Sequence, residues 1–255
     1  MDELEKYYNK FNEDKRLLSR HGQVEFFVCQ HYIQKLIGDR KNLQIVDIGA
    51  GTGRYSAWLA GLGHHVTAID YVQKNVSQIA KKNKNIVAKK GDARKLKLDD
   101  ESFDISIVFG PLYHLFSHED KLKVIYEASR VTKKGGYVLL MYLLNDYAVI
   151  VHAFKDGNLQ DCIKNNKLDK NFQCVTNKED LYSYVRVDEI KKLSSESALT
   201  SLKMIGVDGA TDYIRPTINK MSEEDFEIYK NYQLSICERP ELLGASSHLM
   251  EILRK

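Results

Sequence analysis

The 255-residue chain is poor in the features that mark several protein classes. It has only three prolines, no low-complexity tract and no repeat, so neither a rigid linker nor a repeat array is encoded. Its four cysteines, Cys29, Cys162, Cys174 and Cys237, form no CxxC pair. Scattered thiols of this kind argue against a zinc site or a disulfide framework and fit a reducing compartment; no metal site is expected. Charge of one sign is also scarce. With 38 Lys and Arg against 35 Asp and Glu, the formal charge is +3 and neither end carries a basic block, which disfavours nucleic acid as an obligatory partner. The cluster Lys89, Lys90, Arg94, Lys95 and Lys97 reads as a solvated loop rim. The longest apolar run, "YVLLMYLL" from Tyr137 to Leu144, is far too short to cross a bilayer, and "MDELEKYYNK" offers no apolar signal core, so no membrane partner and a cytoplasmic location are expected.

What the chain does contain is ordinary globular material, 43% hydrophobic and 29% charged. Two helical stretches open it, Asp2 to Ser19 and Gln23 to Ile37, the second with Val24, Phe27, Val28, His31 and Ile33 on a buried stripe. Strands and helices then alternate. Strands are expected at Leu43 to Gly49, His65 to Asp70, Ile86 to Lys89, Phe103 to Gly110 and Tyr137 to Leu144, separated by helices at Tyr55 to Ala60, Val72 to Lys82 and Glu119 to Thr132. Such alternation implies right-handed crossovers and a parallel sheet. The rhythm fails from Asn145 to Val187, where polar and aromatic residues mix without a period. It resumes with a helix at Asp188 to Ser197, a strand near Leu202 to Val207, a helix at Glu223 to Cys237 and a last strand, "SHLMEILR". The simplest organisation is one domain over residues 1–255: a helical cover (1–37), a ligand-binding core (43–144), an inserted substrate lid (145–187) and a C-terminal completion of the sheet (188–255).

The most informative stretch is "IVDIGAGTGRYSAWLAGLGHHVTAID", Ile45 to Asp70. Ligands of open parallel sheets sit beyond the carboxyl ends of the strands, where Gly49, Gly51 and Gly53 fall. The spacing is not the GxGxxG of dinucleotide sites, since Arg54 occupies the sixth position, and no Gly-Lys-Ser/Thr ending makes a P-loop. Asp47 also sets a carboxylate where a pyrophosphate would have to lie. Asp70, ending the second strand, suits the two hydroxyls of a ribose, while Asp47 favours an ammonium and a sulfonium. S-adenosyl-L-methionine has an adenosine at one end and a cationic amino acid at the other, and so satisfies both carboxylates.

The segments "VDIGAGTG", "AID", "GDA" (Gly91 to Ala93), "FDISIVFGPLYHL" and "RVTKKGGYVLL" together resemble the class I, seven-stranded, Rossmann-like S-adenosylmethionine-dependent methyltransferases. "GPLYHL" and the tail "GASSHLMEILRK" are similar to an uncharacterised bacterial group within them. The resemblance implies an α/β, three-layer, doubly wound sheet of seven mostly parallel strands, with an antiparallel last strand lying between its neighbours. It gives the loop of Gly49, Ala50, Gly51 and Gly53, with Asp47, to the methionine end, Asp70 to the ribose and Tyr71 to the adenine face. Asp92 would accept from the adenine amino group and the Ala93 amide donate to the ring, while Phe109 and Gly110 pass beneath the sulfonium. Taken alone, "GDARK" reads equally as a turn or helix cap.

"GPLYHL" departs from the Asn/Asp-Pro-Pro-Tyr/Phe motif of enzymes that methylate exocyclic amines of nucleobases or glutamine, because Gly110 has no side chain to orient such an amine. Tyr113 and His114 stand near the expected methyl-transfer point, where either could bind substrate or act as a base, although a packed, hydrogen-bonded His114 is the plainer reading. Arg16, Arg20, Gln23 and Glu25 are candidate contacts for the methionine end. The expected activity is methyl transfer to a small molecule; RNA or protein methylation, and a catalytically silent S-adenosylmethionine-binding regulator, remain as alternatives. The sequence sets no oligomeric state.

Overall fold

The computed structural model describes residues 18–255. Arg16 and all but the end of the expected first helix lie outside them. Among the described residues the first helix, α1 (Arg20–Ile37), buries Val24, Glu25, Val28, Cys29, Tyr32, Ile33 and Ile37. This stripe is rotated slightly from the expected one: Phe27 and His31 are only half-buried, and a carboxylate, Glu25, takes a place on the inward face.

Seven strands form one sheet: β1 (Gln44–Ile48), β2 (His65–Asp70), β3 (Ile86–Lys90), β4 (Phe103–Val108), β5 (Thr132–Leu143), β6 (Thr200–Gly206) and β7 (His248–Arg254). Their order is β3-β2-β1-β4-β5-β7-β6. The first five pair in parallel, and β7 lies antiparallel between β5 and β6. Alternation along each strand feeds two cores. Ile45, Leu139 and Met141 face α1 and α2 (Arg54–Gly61), whereas Val46, Val138, Leu140 and Tyr142 face α4 (His118–Val131). This is the three-layer α/β sheet expected, with α3 (Gln73–Ile79) crossing between β2 and β3.

The stretch after β5 is less irregular than its sequence suggests. It holds α5 (Asn145–Ala148), a π-helical turn (Val149–Lys155) and α6 (Leu159–Lys164), with Asn145, Ala148, Ala153 and Cys162 buried. It returns to the sheet edge where Leu144 bridges Val185, just before α7 (Val187–Glu196). The chain closes through α8 (Arg215–Ile218), α9 (Glu223–Ile236) and β7. No described helix is long and apolar enough to cross a membrane.

Candidate active site

A cavity of about 760 Å³ opens at the carboxyl edge of the parallel strands, a size within the range of small-ligand sites. Its floor is the loop joining β1 to α2. There Gly49 and Ala50 donate their amides to the Ile69 carbonyl at 2.7 and 3.0 Å, which pins the loop to the end of β2. Gly49 has φ +75°, and a Cβ on it would stand 2.4 Å from Pro111 Cδ. Glycine is therefore required twice over, by backbone conformation and by the approach of the "GPLYHL" segment. Gly110 in turn leaves room for the Gly49 carbonyl, which a Cβ there would meet at 3.1 Å.

Of the expected cofactor residues, Asp47, Gly49, Ala50, Gly51, Asp70 and Tyr71 line the cavity, as do Asp92, Ala93, Phe109 and Gly110. Gly53 does not line it. It starts α2 at φ +82°, and a Cβ there would meet Ile79 Cγ1 at 2.7 Å, so the third glycine permits helix packing behind the loop.

The two aspartates differ in their tasks. Asp47 shares the α2-facing side of β1 with Ile45, is 2% exposed and accepts a 2.5 Å hydrogen bond from Ser56 Oγ. Burial pushes its carboxyl up to about 6, with the nearby Asp70 adding to the effect and Ser56 opposing it. Asp70 accepts from Gly51 N (2.7 Å), Val72 N (2.8 Å) and Asn75 Nδ2 (3.0 Å), so it organises the loop while standing on the wall. Burial raises its pKa too, against those three bonds.

At the opposite end Asp92 sits on the wall but is engaged. Arg94 donates its backbone amide to Oδ1 at 2.9 Å and pairs with the carboxylate at 2.7 Å, while reaching Asp120 at 2.9 Å. These bonds hold the Asp92 carboxyl below its usual range. The turn-forming role that "GDARK" allowed is therefore present alongside any ligand role.

Tyr113 and His114 both face the cavity. They follow Pro111 on a 3₁₀ turn (Pro111–His114) anchored by the fully buried Leu112. Tyr113 Oη donates to the Phe109 carbonyl at 3.1 Å, and His114 Nδ1 donates to the Leu181 carbonyl at 2.8 Å. His114 thus ties the turn to the segment following β5. Ser183 N adds a 2.8 Å bond to the Tyr113 carbonyl, and the buried Lys121 reaches both the Leu115 carbonyl and Ser183 Oγ. Burial draws the Lys121 ammonium down to about 8. Clamped in this way, residues 176–181 contribute Thr176, Asn177 and Leu181 to the cavity.

Of the candidates on α1, Glu25 alone reaches the cavity wall. Arg20 pairs with Glu223 at 3.0 Å and Gln23 donates to the Leu18 carbonyl. Sequence reasoning missed two residues beside Glu25. Asp208, just past β6, and His248, which opens β7, bring their polar atoms together with the Glu25 carboxylate within 4.8 Å of one another. The signal was present but inverted: β7 runs against its neighbours, so its first residue, not its last, lies at the ligand edge.

Residues 46–140 match the family model described as "Methyltransferase domain". Among curated relatives, the chain is 31% identical over 106 residues to an uncharacterized methyltransferase of Schizosaccharomyces pombe, covering 41% of each chain. It is 32% identical over 115 residues to the demethylmenaquinone methyltransferase of Streptomyces avermitilis, covering 44% of this chain and 48% of the relative. The chain thus spans less than half the length of these curated relatives. A solved S-adenosylmethionine-dependent methyltransferase of Mesorhizobium loti superposes with a TM-score of 0.59 at 15% identity, over 89% of this chain and 98% of the other. The strand order, the glycine loop against Pro111 and the match over residues 46–140 agree: this seven-stranded sheet has the α/β fold of the methyltransferases, and the segment spanning its first five strands is the part similar to the methyltransferase-domain model.

Proposed function

We propose that the protein is an S-adenosylmethionine-dependent methyltransferase acting on a small molecule in the bacterial cytoplasm, in the group that shares the "GPLYHL" element, and that residues 1–255 act as one unit. The observation that carries this reading is the pair of buried carboxylates, Asp47 and Asp70, on one cavity wall with the glycine loop between them. Two anionic groups suit an ammonium, a sulfonium and a ribose, and repel a pyrophosphate. The close approach of the loop to the Gly110–Pro111 segment, which a Cβ on Gly49 or Gly110 would disturb, holds the two sides of the site together. On this reading the loop and Asp47 hold the methionine end, Asp70 the ribose, Tyr71 the adenine face and Asp92 with the Ala93 amide the adenine edge.

S-adenosylmethionine supplies an already activated methyl group, so the chain's work is alignment and exclusion of water. The clamped segment 176–181 supports that role as part of a lid over the acceptor. Its setting is not that of a nucleic-acid track, because Lys167 is paired with Asp180 at 2.7 Å and the neighbouring lysines alternate with acids. Calorimetry tests the reading directly. S-adenosylmethionine or S-adenosylhomocysteine is expected to bind and NAD to fail, and Asp70→Asn is expected to weaken binding by about 1.5 to 3 kcal/mol, the range for hydrogen bonds to a charged group. Tight NAD binding, or an unchanged affinity in the variant, refutes it.

A further inference from the structure

Glu25, Asp208 and His248 come from three separate parts of the chain: α1, the turn after β6 and the start of β7. Glu25 and Asp208 are 4% and 3% exposed, and the His248 side chain 13%. Asp208 Oδ2 accepts both from the His248 backbone amide, at 2.6 Å, and from its ring Nδ1, at 2.8 Å. A carboxylate can only accept here, so Nδ1 carries the hydrogen and, in the neutral ring, Nε2 carries the lone pair. Ser246 Oγ fixes the turn from behind, accepting from the amides of Asp208 and Gly209 at 3.0 Å each and donating to the His248 carbonyl at 2.8 Å. Against Gly209 lies Gln233, whose buried Oε1 has no hydrogen-bond partner among the described residues.

The cluster adjoins the cavity on two sides. Glu25 is itself a wall residue, and the His248 ring lies 6.3 Å, centroid to centroid, from the ring of Tyr113, which is another. Neither Asp208 nor His248 is required to build the glycine loop or to hold either end of the cofactor, and Glu25, a candidate for the methionine end, stands on the wall between that end and this pair. Two carboxylates gathered around one imidazole, with Glu25 on the cavity wall and Asp208 and His248 behind it, suit positive charge. A separation of up to 4.8 Å between their polar atoms is spanned by an ammonium hydrogen-bonded at roughly 2.7 to 3.2 Å to each.

We propose that Glu25, Asp208 and His248 form the acceptor subsite and that the acceptor is a small aliphatic amine. Glu25 and Asp208 hold it as the ammonium. His248, oriented by Asp208, then takes one N–H proton on Nε2, and the electron pair of that bond stays on nitrogen as the lone pair an acceptor needs. This deepens the methyltransferase reading and rests on it.

The test uses the full chain, saturated with S-adenosylhomocysteine and labelled with ¹⁵N-histidine. Dimethylamine, ethanolamine and N-methylethanolamine are titrated in parallel with the matched alcohols and ethers, and the His248 ring nitrogens are followed by NMR. Saturable shifts with the amines, but not with the uncharged analogues, are expected. Asp208→Asn is expected to weaken amine binding at least tenfold while S-adenosylhomocysteine binds as before, and His248→Gln, a second variant should the first fail to fold, to abolish the ring response while amines still bind. Equal binding of alcohols and amines, or amine binding indifferent to Asp208→Asn, overturns the proposal. So does Mn²⁺ alone binding at His248 with no response to amines, which identifies a divalent-cation site. If S-adenosylhomocysteine binds and no amine perturbs His248, the acceptor proposal fails while the methyltransferase reading stands; amine binding at His248 without any binding of S-adenosylhomocysteine refutes the methyltransferase reading, and with it the acceptor role, leaving an amine site of another kind.

Discussion

Asp47 is kept at a cost to stability, and Asp47→Asn measures that cost. The carboxyl is 2% exposed and its pKa is raised from the ordinary 3.8 to about 6, chiefly by burial. A carboxyl whose pKa is raised on folding destabilises the native state once ionised. Below the ordinary value both states are protonated and nothing is lost. Between 3.8 and about 6 the unfolded chain releases its proton first, and stability falls as pH rises; above about 6 the deficit is complete. At about 1.4 kcal/mol per pH unit it reaches about 3 kcal/mol at pH ~7.5 and roughly half that at pH ~5. Asparagine keeps the shape and still accepts from Ser56 Oγ but carries no charge, so the variant is expected to gain stability by up to that amount, more at the higher pH. Urea unfolding followed by the fluorescence of Trp58 at the two pH values reads the difference. Calorimetry with S-adenosylmethionine reads the other side, a loss of about tenfold or more in affinity, as a charge-assisted contact disappears. A variant less stable than the native protein at pH ~7.5, or a stability gain that does not change with pH, refutes the argument that this carboxylate is held ionised against its burial.

Gly49→Ala places a methyl against Pro111 Cδ in a left-handed backbone conformation; a loss of about 2 to 4 kcal/mol in urea unfolding is expected, the range for overpacking combined with backbone strain, and a loss under 1 kcal/mol contradicts the fit described. His114→Asn removes the ring that ties the 3₁₀ turn to the Leu181 carbonyl. It is expected to preserve S-adenosylmethionine affinity and to speed amide exchange at residues 176–185, with only a modest fall in turnover. A loss of a hundredfold or more in rate, with the cofactor still bound, shows His114 to be a catalytic base instead.

The parts of the site that were legible in the sequence are those governed by local rules. Asp47, Gly49 and Gly51 follow a strand in the same short segment, and Asp70 closes the next one; their shared edge follows from parallel pairing alone. Leu112 and the "GPLYHL" turn belong to this class, since a strand end followed by Pro111 leads the chain directly over the loop. The segment after β5 was not legible, because its buried residues are spread over short α-helical and π-helical turns that never sustain one period. Gly53, expected as a third ligand glycine, stands off the cavity lining and against Ile79, far along the chain, a placement that its spacing from Gly49 and Gly51 does not reveal.

By itself, the sequence determined the alternation of strand and helix, the position of the glycine loop and the two aspartates at its ends, since each depends on residues within one turn or one strand of each other. Tertiary structure alone decided that Arg94 is shared between Asp92 and Asp120, how Lys121 and His114 clamp residues 181–183, and that Glu25, Asp208 and His248 meet. Apart from the local Asp92–Arg94 pair, those contacts join residues separated by tens to hundreds of positions. Their proximity is created by the packing of α1 on the sheet and by the reversal of β7, which carries the first residue of the last strand to the edge where ligands bind.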